Sequence, residues 1–283
     1  MAQFTNFATI TLNGNNINSN ITTGEIREVL FAEKTALRDL YGQNSDIAYV
    51  ISITNSSTTA FSGLTITDDL GGYSVGTSTV YPLSYAPGSA KLFINGVLTA
   101  DPTVIVGPPL QFTGITIPAG ANAVLAYETI TTDYAPLQSG GQIVNTITVT
   151  GGGITTPITA SETVTAEDAP ILSITKSLSP AVVSENSRLT YTFIIENRGN
   201  TAIVATDDLI FRDTFDPVLE DLAVTFNGVP WNEGTNYTYD ELIGEFVSLA
   251  GQITVPAATF SQSTSGSYTV TPGISTITIT GTI

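Results

Sequence analysis

Residues 171–197 read ILSITKSLSPAVVSENSRLTYTFIIEN, and residues 29–55 read VLFAEKTALRDLYGQNSDIAYVISITN. In both segments a lysine precedes a tyrosine by fifteen residues, as Lys34 precedes Tyr49, and the Asn-Ser pair and the final Asn also coincide. Apolar residues alternate with polar ones after the Asn-Ser pair, which is typical of half-buried strands. The two segments therefore indicate two copies of one β-rich domain.

Further matches extend this repeat in the same order along both copies. The matched segments are LTITDDL (64–70) with LIFRDTF (209–215), FINGVL (93–98) with TFNGVP (225–230), ITIPAGA (115–121) with ITVPAAT (253–259), and NTITVTG (145–151) with STITITG (275–281). Short alternating segments separated by turn residues predict an all-β fold of two tandem Ig-like antiparallel β-sandwich domains. We expect a first repeat at 25–168 and a second at 169–283, preceded by an N-terminal strand and tether at 1–24.

One segment conflicts with the all-β prediction on propensity alone. Residues 25–42, EIREVLFAEKTALRDLYG, contain many good helix formers. The matching part of the second copy contains a strand pattern followed by a proline. We therefore let the repeat decide and predict a strand, with one helical turn at most around 36–41.

Composition excludes several classes of function. The 283 residues include 25 acidic and 8 basic side chains, a net charge of −17, which disfavours nucleic acid and anionic membranes as partners. The chain has no cysteine and no histidine, which excludes disulfides, thiolate nucleophiles, Cys/His zinc sites and Ser-His-Asp triads. We expect no enzyme and no cofactor. No apolar run reaches the roughly 20 residues of a membrane span, and MAQFTNFATI lacks the pattern of a secretion signal.

Alternation places three polar side chains on inward faces of the first copy. Lys34, Asp68 and Asn145 each continue a row of apolar residues spaced two apart. Burying such groups is costly unless they meet. A buried lysine favours its neutral, nucleophilic form, and a nearby protonated carboxyl can polarise an amide. Two interpretations stay open: a spontaneous Lys–Asn isopeptide bond with Asp68 as the acid, or a Lys–Asp pair with a hydrogen-bonded asparagine.

The second copy departs from this pattern at one position. It keeps Lys176 and Asp213, but Ser275 stands where the alignment places Asn145, so we expect no internal isopeptide bond there. The second copy also ends short of the strand that ITASETVTA (158–166) supplies to the first. An open sheet edge with unpaired backbone groups is a template for an incoming strand.

The N-terminus contains a segment that suits this edge. FTNFATITLN is strand-like and is followed by an Asn/Gly-rich stretch that we interpret as a tether. The predicted donor strand presents one row: Phe4, Asn6, Ala8, Ile10 and Leu12. Donation to another subunit is a head-to-tail contact that builds rings or filaments. Asn6 would then be the amide partner of Lys176 across the joint. The alternatives are a disordered tail or a strand that folds back onto the first copy.

Acidic residues cluster in the second copy and raise the question of calcium. Asp207, Asp208 and Asp216 lie close together in sequence, near Asp213. Calcium takes six to eight oxygen ligands, often from acidic loops, but no Asp-x-Asp-x-Asp-Gly loop occurs. These residues are weak calcium candidates, and a solvated acidic face is the expectation.

Several of these motifs resemble a known family. A strand ending in Thr-Lys, as in ITKSLSP (174–180), strands ending in TITDD and FRDTF, and an Asn-Thr-x-Thr-Val strand resemble the conserved-repeat domain of unknown function in bacterial and archaeal surface proteins. The resemblance covers about residues 26–283. The two-copy chain is also similar to subunits of the ribbon-like appendages on spores of clostridial-type bacteria. Related adhesin and pilin domains carry isopeptide bonds, so the resemblance implies that chemistry here.

Together these observations favour a structural role. We expect a subunit of a fibre or appendage, extracellular or on the spore surface, whose main partner is itself, with other appendage or coat proteins as further partners. Neither nucleic acid nor membrane is expected as a partner. The alternative function is an adhesin or stalk module that presents loops to a ligand.

Overall fold

The structure, a computed structural model, describes residues 2–26 and 28–283. Across these residues the chain is almost entirely β, with no α-helix and one 3₁₀ turn at Ala205–Asp207. The predicted all-β class is therefore confirmed. No helix in the described part of the chain is long and apolar enough to cross a membrane.

The N-terminal segment forms a two-stranded hairpin rather than a strand and a tether. Its strands are β1 (Ala2–Asn6), β2 (Thr9–Leu12), β3 (Asn15–Asn18) and β4 (Thr22–Ile26). Strand β1 pairs with β4, and β2 pairs with β3. Asn13 and Gly14 form the turn with φ of 49° and 83°, the left-handed pair that a tight hairpin requires. The expected tether is thus the return arm, and the described strands pair only with each other.

The first domain consists of two six-stranded sheets and a separate hairpin. Its strands are β5 (Leu30–Ala36), β6 (Leu40–Tyr41), β7 (Asp46–Asn55), β8 (Phe61–Asp68), β9 (Tyr73–Val75), β10 (Ser78–Val80), β11 (Leu83–Tyr85), β12 (Lys91–Ile94), β13 (Val97–Leu98), β14 (Thr103–Ile105), β15 (Leu110–Ile117), β16 (Asn122–Thr131), β17 (Gln142–Gly151) and β18 (Ile158–Ala166). One sheet runs β13-β12-β16-β7-β5, with β11 on β16, and the other runs β14-β15-β8-β17-β18-β6. Strands β9 and β10 form the hairpin. The one helical turn allowed around 36–41 does not form, because β5 ends at Ala36, residues 37–39 bend, and β6 follows at once.

Alternation in the strands builds the core of the first domain. Along β7, Ile47, Tyr49, Ile51 and Ile53 point inward and are fully buried between the sheets. Strand β5 is the edge of its sheet, and β18 of the facing sheet packs against it. The β17–β18 pair therefore closes the sandwich over β5.

The second domain is smaller on one side. Its strands are β19 (Leu172–Ser179), β20 (Arg188–Asn197), β21 (Arg212–Thr214), β22 (Glu220–Phe226), β23 (Val229–Trp231), β24 (Tyr237–Asp240), β25 (Glu245–Ser248), β26 (Thr259–Gln262), β27 (Tyr268–Thr271) and β28 (Gly273–Thr282). A five-stranded sheet runs β19-β20-β28-β22-β23 and faces a sheet of only three strands, β21-β25-β24. Strands β26 and β27 form a separate hairpin.

Strand β28 does not correspond to β17, as the sequence alignment suggested. It lies between β20 and β22, just as β16 of the first domain lies between β7 and β12, so β28 is the counterpart of β16. Strand β17 belongs to the opposite sheet, beside β8. The second domain therefore lacks two strands, the counterparts of β17 and β18, rather than one. Without them β21, the counterpart of β8, has a free edge.

The joint between the domains is braced at two places. Asn200 Nδ2 donates to the carbonyls of Leu137 and Glu167, both at 3.1 Å. The β26–β27 hairpin reaches back to the first domain, where Tyr268 N–H donates to Asp133 O at 2.8 Å. The joint is thus a set of specific hydrogen bonds and not a bare linker.

Candidate isopeptide site and its open counterpart

A lysine and an aspartate meet in the core of the first domain. Lys34 on β5 and Asp68 on β8 come from opposite sheets, their Nζ and Oδ2 atoms are 2.8 Å apart, and both side chains are 0% exposed. The Tyr127 hydroxyl donates to the same Oδ2, and Leu70 N–H donates to Oδ1 at 2.7 Å. The Asp68 carboxyl is therefore held on both oxygens.

Asn145 completes the group. Ile147 of β17 pairs with Asp68, so Asn145, two residues earlier on the same face, lies beside the Lys34–Asp68 pair. Its side chain is fully buried, yet neither Oδ1 nor Nδ2 has a hydrogen-bond partner. An unsatisfied buried polar group costs about 1–3 kcal/mol. The sequence-predicted trio is thus together, and its amide lacks partners.

Two tyrosines that sequence reasoning missed line the same pocket. Lys34 Nζ lies 4.6 Å from the Tyr49 ring centroid and 5.9 Å from that of Tyr127. Burial raises the pKa of Tyr49, and the nearby Asn145 amide opposes part of that rise, although no bond of ordinary geometry joins them. Tyr49 lies fifteen residues after Lys34, as Tyr191 lies after Lys176, and this repeated spacing was the sequence signal that could have identified it. Tyr127 carried no such signal.

The site has the chemistry for amide exchange. Burial lowers the pKa of Lys34, against the opposing attraction of Asp68, and so favours an uncharged amine. Attack of that amine on the Asn145 amide carbon would form a C–N bond, break the bond to Nδ2 and release ammonia. Asp68 is placed to carry the proton between the amine and the departing nitrogen.

Buried tyrosines predict a loss of stability at high pH. Burial raises the pKa of Tyr41, Tyr49 and Tyr127 above the unfolded value of about 10, so their contribution is complete below that pH and is lost above it. Between its unfolded and folded pKa, each tyrosine lowers the free energy of unfolding by about 1.4 kcal/mol per pH unit. We expect urea denaturation above about pH 10.5 to show a steep fall in the free energy of unfolding, which Tyr49→Phe makes shallower. A stability independent of pH there would contradict the burial of these hydroxyls.

The second domain repeats half of the site without its cover. Lys176 Nζ and Asp213 Oδ2 are 2.6 Å apart, but the side chains are 42% and 18% exposed. Lys176 Nζ lies 4.5 Å from the Tyr191 ring centroid, as Lys34 lies over Tyr49. Lys176 is not enclosed as Lys34 is, because every residue of β19 is exposed. The reason is the missing counterpart of β18, the strand that covers β5.

Ser275 does not take the place of Asn145. It lies on β28, in the other sheet, and its hydroxyl donates to Thr254 O at 2.7 Å. No residue of the second domain stands beside Lys176 and Asp213 on a strand equivalent to β17.

The acidic residues do not gather around a cation. Among the described residues no group of three or more His, Cys, Asp or Glu side chains is placed to hold a metal ion. Asp207 Oδ2 accepts the Val204 N–H at 2.8 Å, and Asp208 follows in the left-handed region with φ of 52°. Asp207 and Asp208 therefore shape a turn, and Asp216 joins no cluster with them.

The N-terminal hairpin presents its apolar side chains to solvent. Six of them are between 55% and 67% exposed: Phe4, Phe7, Ile10, Leu12, Ile17 and Ile21. An isolated two-stranded hairpin is at best marginally stable in water. The chain thus combines a hairpin that packs on nothing with a domain that lacks two strands.

Comparisons with known proteins give only a general likeness. Neither protein-family models nor curated protein sequences match the chain. Among solved structures, the major pilin subunit BcpA of Bacillus cereus is 12% identical over 96% of this chain and 73% of its own, with a TM-score of 0.37. The C-terminal fragment of the Streptococcus agalactiae major pilin GBS80 is 11% identical over 87% and 86%, with a TM-score of 0.36. The collagen-binding domain of a Staphylococcus aureus adhesin is 11% identical over 49% and 99%, with a TM-score of 0.31. The structural neighbours are thus Gram-positive pilin and adhesin domains.

Proposed function

We propose that this chain is the structural subunit of an extracellular fibre, in which the N-terminal hairpin of one subunit completes the second domain of the next. One observation carries the proposal: among the described residues the two arms of the N-terminal hairpin pair only with each other, and the second domain lacks the counterparts of β17 and β18. The donor and the acceptor are different surfaces of the chain, so the contact is head-to-tail and can repeat from subunit to subunit.

The backbone supports this assembly. Strand β21 ends its three-stranded sheet with unpaired groups on one side, where β8 of the first domain pairs with β17. Strand addition supplies main-chain hydrogen bonds to such an edge. The incoming hairpin would then lie over β19 as β18 lies against β5.

Burial supplies the driving force. Ile174 on β19 is 53% exposed, and the six hairpin side chains are exposed as well. Covering a large apolar side chain contributes about 1.5–3 kcal/mol, so this set represents on the order of 10 kcal/mol before the entropic cost of association. The same contact would therefore bury apolar side chains of both the hairpin and β19.

Within each subunit, the proposal includes an isopeptide bond between Lys34 and Asn145. Its support is the unpartnered, fully buried amide beside a buried lysine and carboxyl. The bond would tie β5 of one sheet to β17 of the other and make the first domain resistant to unfolding. The partner in the fibre is another copy of this chain, and the family resemblance extends the proposal to a spore surface with other appendage or coat proteins.

Electron microscopy of the concentrated chain tests the assembly. We expect filaments from the full chain and none from a chain that lacks residues 2–26, because the acceptor edge then has no donor. Asn20→Ala, an exposed change within the hairpin, serves as the matched control and should leave filaments intact. Discrete monomers from the full chain would overturn the proposal and favour the adhesin or stalk module, whose ligand would then be sought by binding.

A further inference from the structure

We infer that the donated hairpin enters in one register, with Asn6 beside Lys176 and Asp213 of the next subunit, and that an isopeptide bond between Lys176 and Asn6 joins the two chains. This inference rests on the proposed strand donation and adds to it the position of each donor residue and a covalent link.

The register follows from a match between the hairpin and the strand it would replace. QFTNFATIT (3–11) aligns with QIVNTITVT (142–150), with identical residues at the first, fourth, seventh and ninth positions. Asn6 then falls on Asn145. The partner strands agree as well, because Asn6 pairs with Thr22 in β4 just as Asn145 pairs with Glu162 in β18. Both are antiparallel, and in both the strand with the asparagine comes first.

The donor side chains that would face inward match the buried side chains of β17, the strand that the second domain lacks. In β17 the buried residues are Ile143, Asn145, Ile147 and Val149. The equivalent donor row is Phe4, Asn6, Ala8 and Ile10. Ala8 would then stand opposite Asp213, as Ile147 stands opposite Asp68.

The acceptor already holds the other two groups in place. Lys176 and Asp213 are in contact at 2.6 Å, and the amine lies over Tyr191 at nearly the distance that separates Lys34 from Tyr49. What the second domain lacks is an amide and a cover that excludes water. The hairpin supplies both, so the site is complete only between two subunits.

The step balances without a further reactant. The Lys176 amine attacks the amide carbon of Asn6, a C–N bond forms, the bond to the amide nitrogen breaks, and the nitrogen leaves as ammonia. Asp213 carries the proton from the amine to the leaving nitrogen. Exclusion of water by the hairpin favours the uncharged amine needed for the attack.

Two full-length variants that cannot react alone test the bond when they are mixed. Lys176→Arg keeps a donor hairpin but has no acceptor amine, and Asn6→Ala keeps the amine but has no donor amide. Each alone should run as a monomer in denaturing gels, whereas the mixture should give a covalent dimer of twice the 29.6 kDa chain and nothing longer. Peptide mapping should find residues 6 and 176 joined, with a loss of about 17 Da for the ammonia.

Matched controls and the other outcomes separate this inference from the proposed function. Lys91→Arg changes an exposed lysine paired with Asp101, and it should leave the series of covalent multimers that the wild-type chain shows in denaturing gels unchanged. Filaments that dissolve to monomers in detergent, with no dimer from the mixture, would overturn the bond and leave strand donation standing. Covalent multimers from Asn6→Ala alone would overturn the register. Absence of filaments from the full chain would instead remove the proposed function.

Discussion

Asn145→Ala is expected to restore the full sequence mass and to destabilise the first domain. In a Lys176→Arg background, which cannot link to the next subunit, the chain that keeps Asn145 should be about 17 Da lighter than its sequence, because ammonia leaves when Lys34 and Asn145 join. A cross-link between these residues closes a loop of about 110 residues, for which a chain-entropy treatment of covalent loops gives about 4–5 kcal/mol. Intact-protein mass spectrometry and urea denaturation measure the two effects.

The control for this experiment is Lys34→Arg, which keeps the charge but cannot form the amide. It should also show its full sequence mass, whereas Asn20→Ala should retain the deficit. A Lys176→Arg chain with its full sequence mass would contradict the bond and leave Lys34 and Asp68 as a buried ion pair beside an unsatisfied asparagine.

Asp68→Ala and Asp213→Ala are expected to differ sharply, although both remove the partner of a matched lysine. Asp68→Ala leaves the Lys34 amine in a core with no carboxylate, which costs about 3–5 kcal/mol, and it removes the acid that the bond requires. Asp213→Ala opens a pair that water reaches, at a cost of about 0–1 kcal/mol.

Optical probes separate the two domains in this comparison. Trp231 is the sole tryptophan and packs in the second core, so its fluorescence follows that domain, and the far-ultraviolet circular dichroism follows both. Equal losses for the two variants would contradict the difference in burial between the sites. A small loss for Asp68→Ala would show that Lys34 reaches water or another partner.

The repeat carried much of the fold prediction. Helix propensity over 25–42 was set aside because its counterpart contains Pro180, and the structure shows strand β5 there. Alternation along single strands then placed Lys34, Asp68 and Asn145 on inward faces. Each inference depended only on local periodicity, which a sequence displays directly.

The remaining features depend on which strands become neighbours. Residues 145–151 and 275–281 share the same Thr/Ile alternation, so sequence could not assign them to different sheets. The exposure of Lys176 follows from the missing counterpart of β18 and not from any residue of β19. The N-terminal hairpin, in contrast, could have been predicted, because Asn13-Gly14 between two strand-like runs is a recognised signal for a hairpin turn. The prediction of a tether considered only the Asn/Gly-rich composition of this stretch.

The braced joint has a mechanical consequence. Asn200 binds Leu137 O and also Glu167 O of the connecting segment, and the β26–β27 hairpin contacts the first domain separately at Asp133. Two rigid bodies held at separate points resist both bending and torsion, whereas a single peptide tether resists neither. A fibre of such subunits would therefore behave as a rod along each protomer, and its compliance would be concentrated where one chain meets the next.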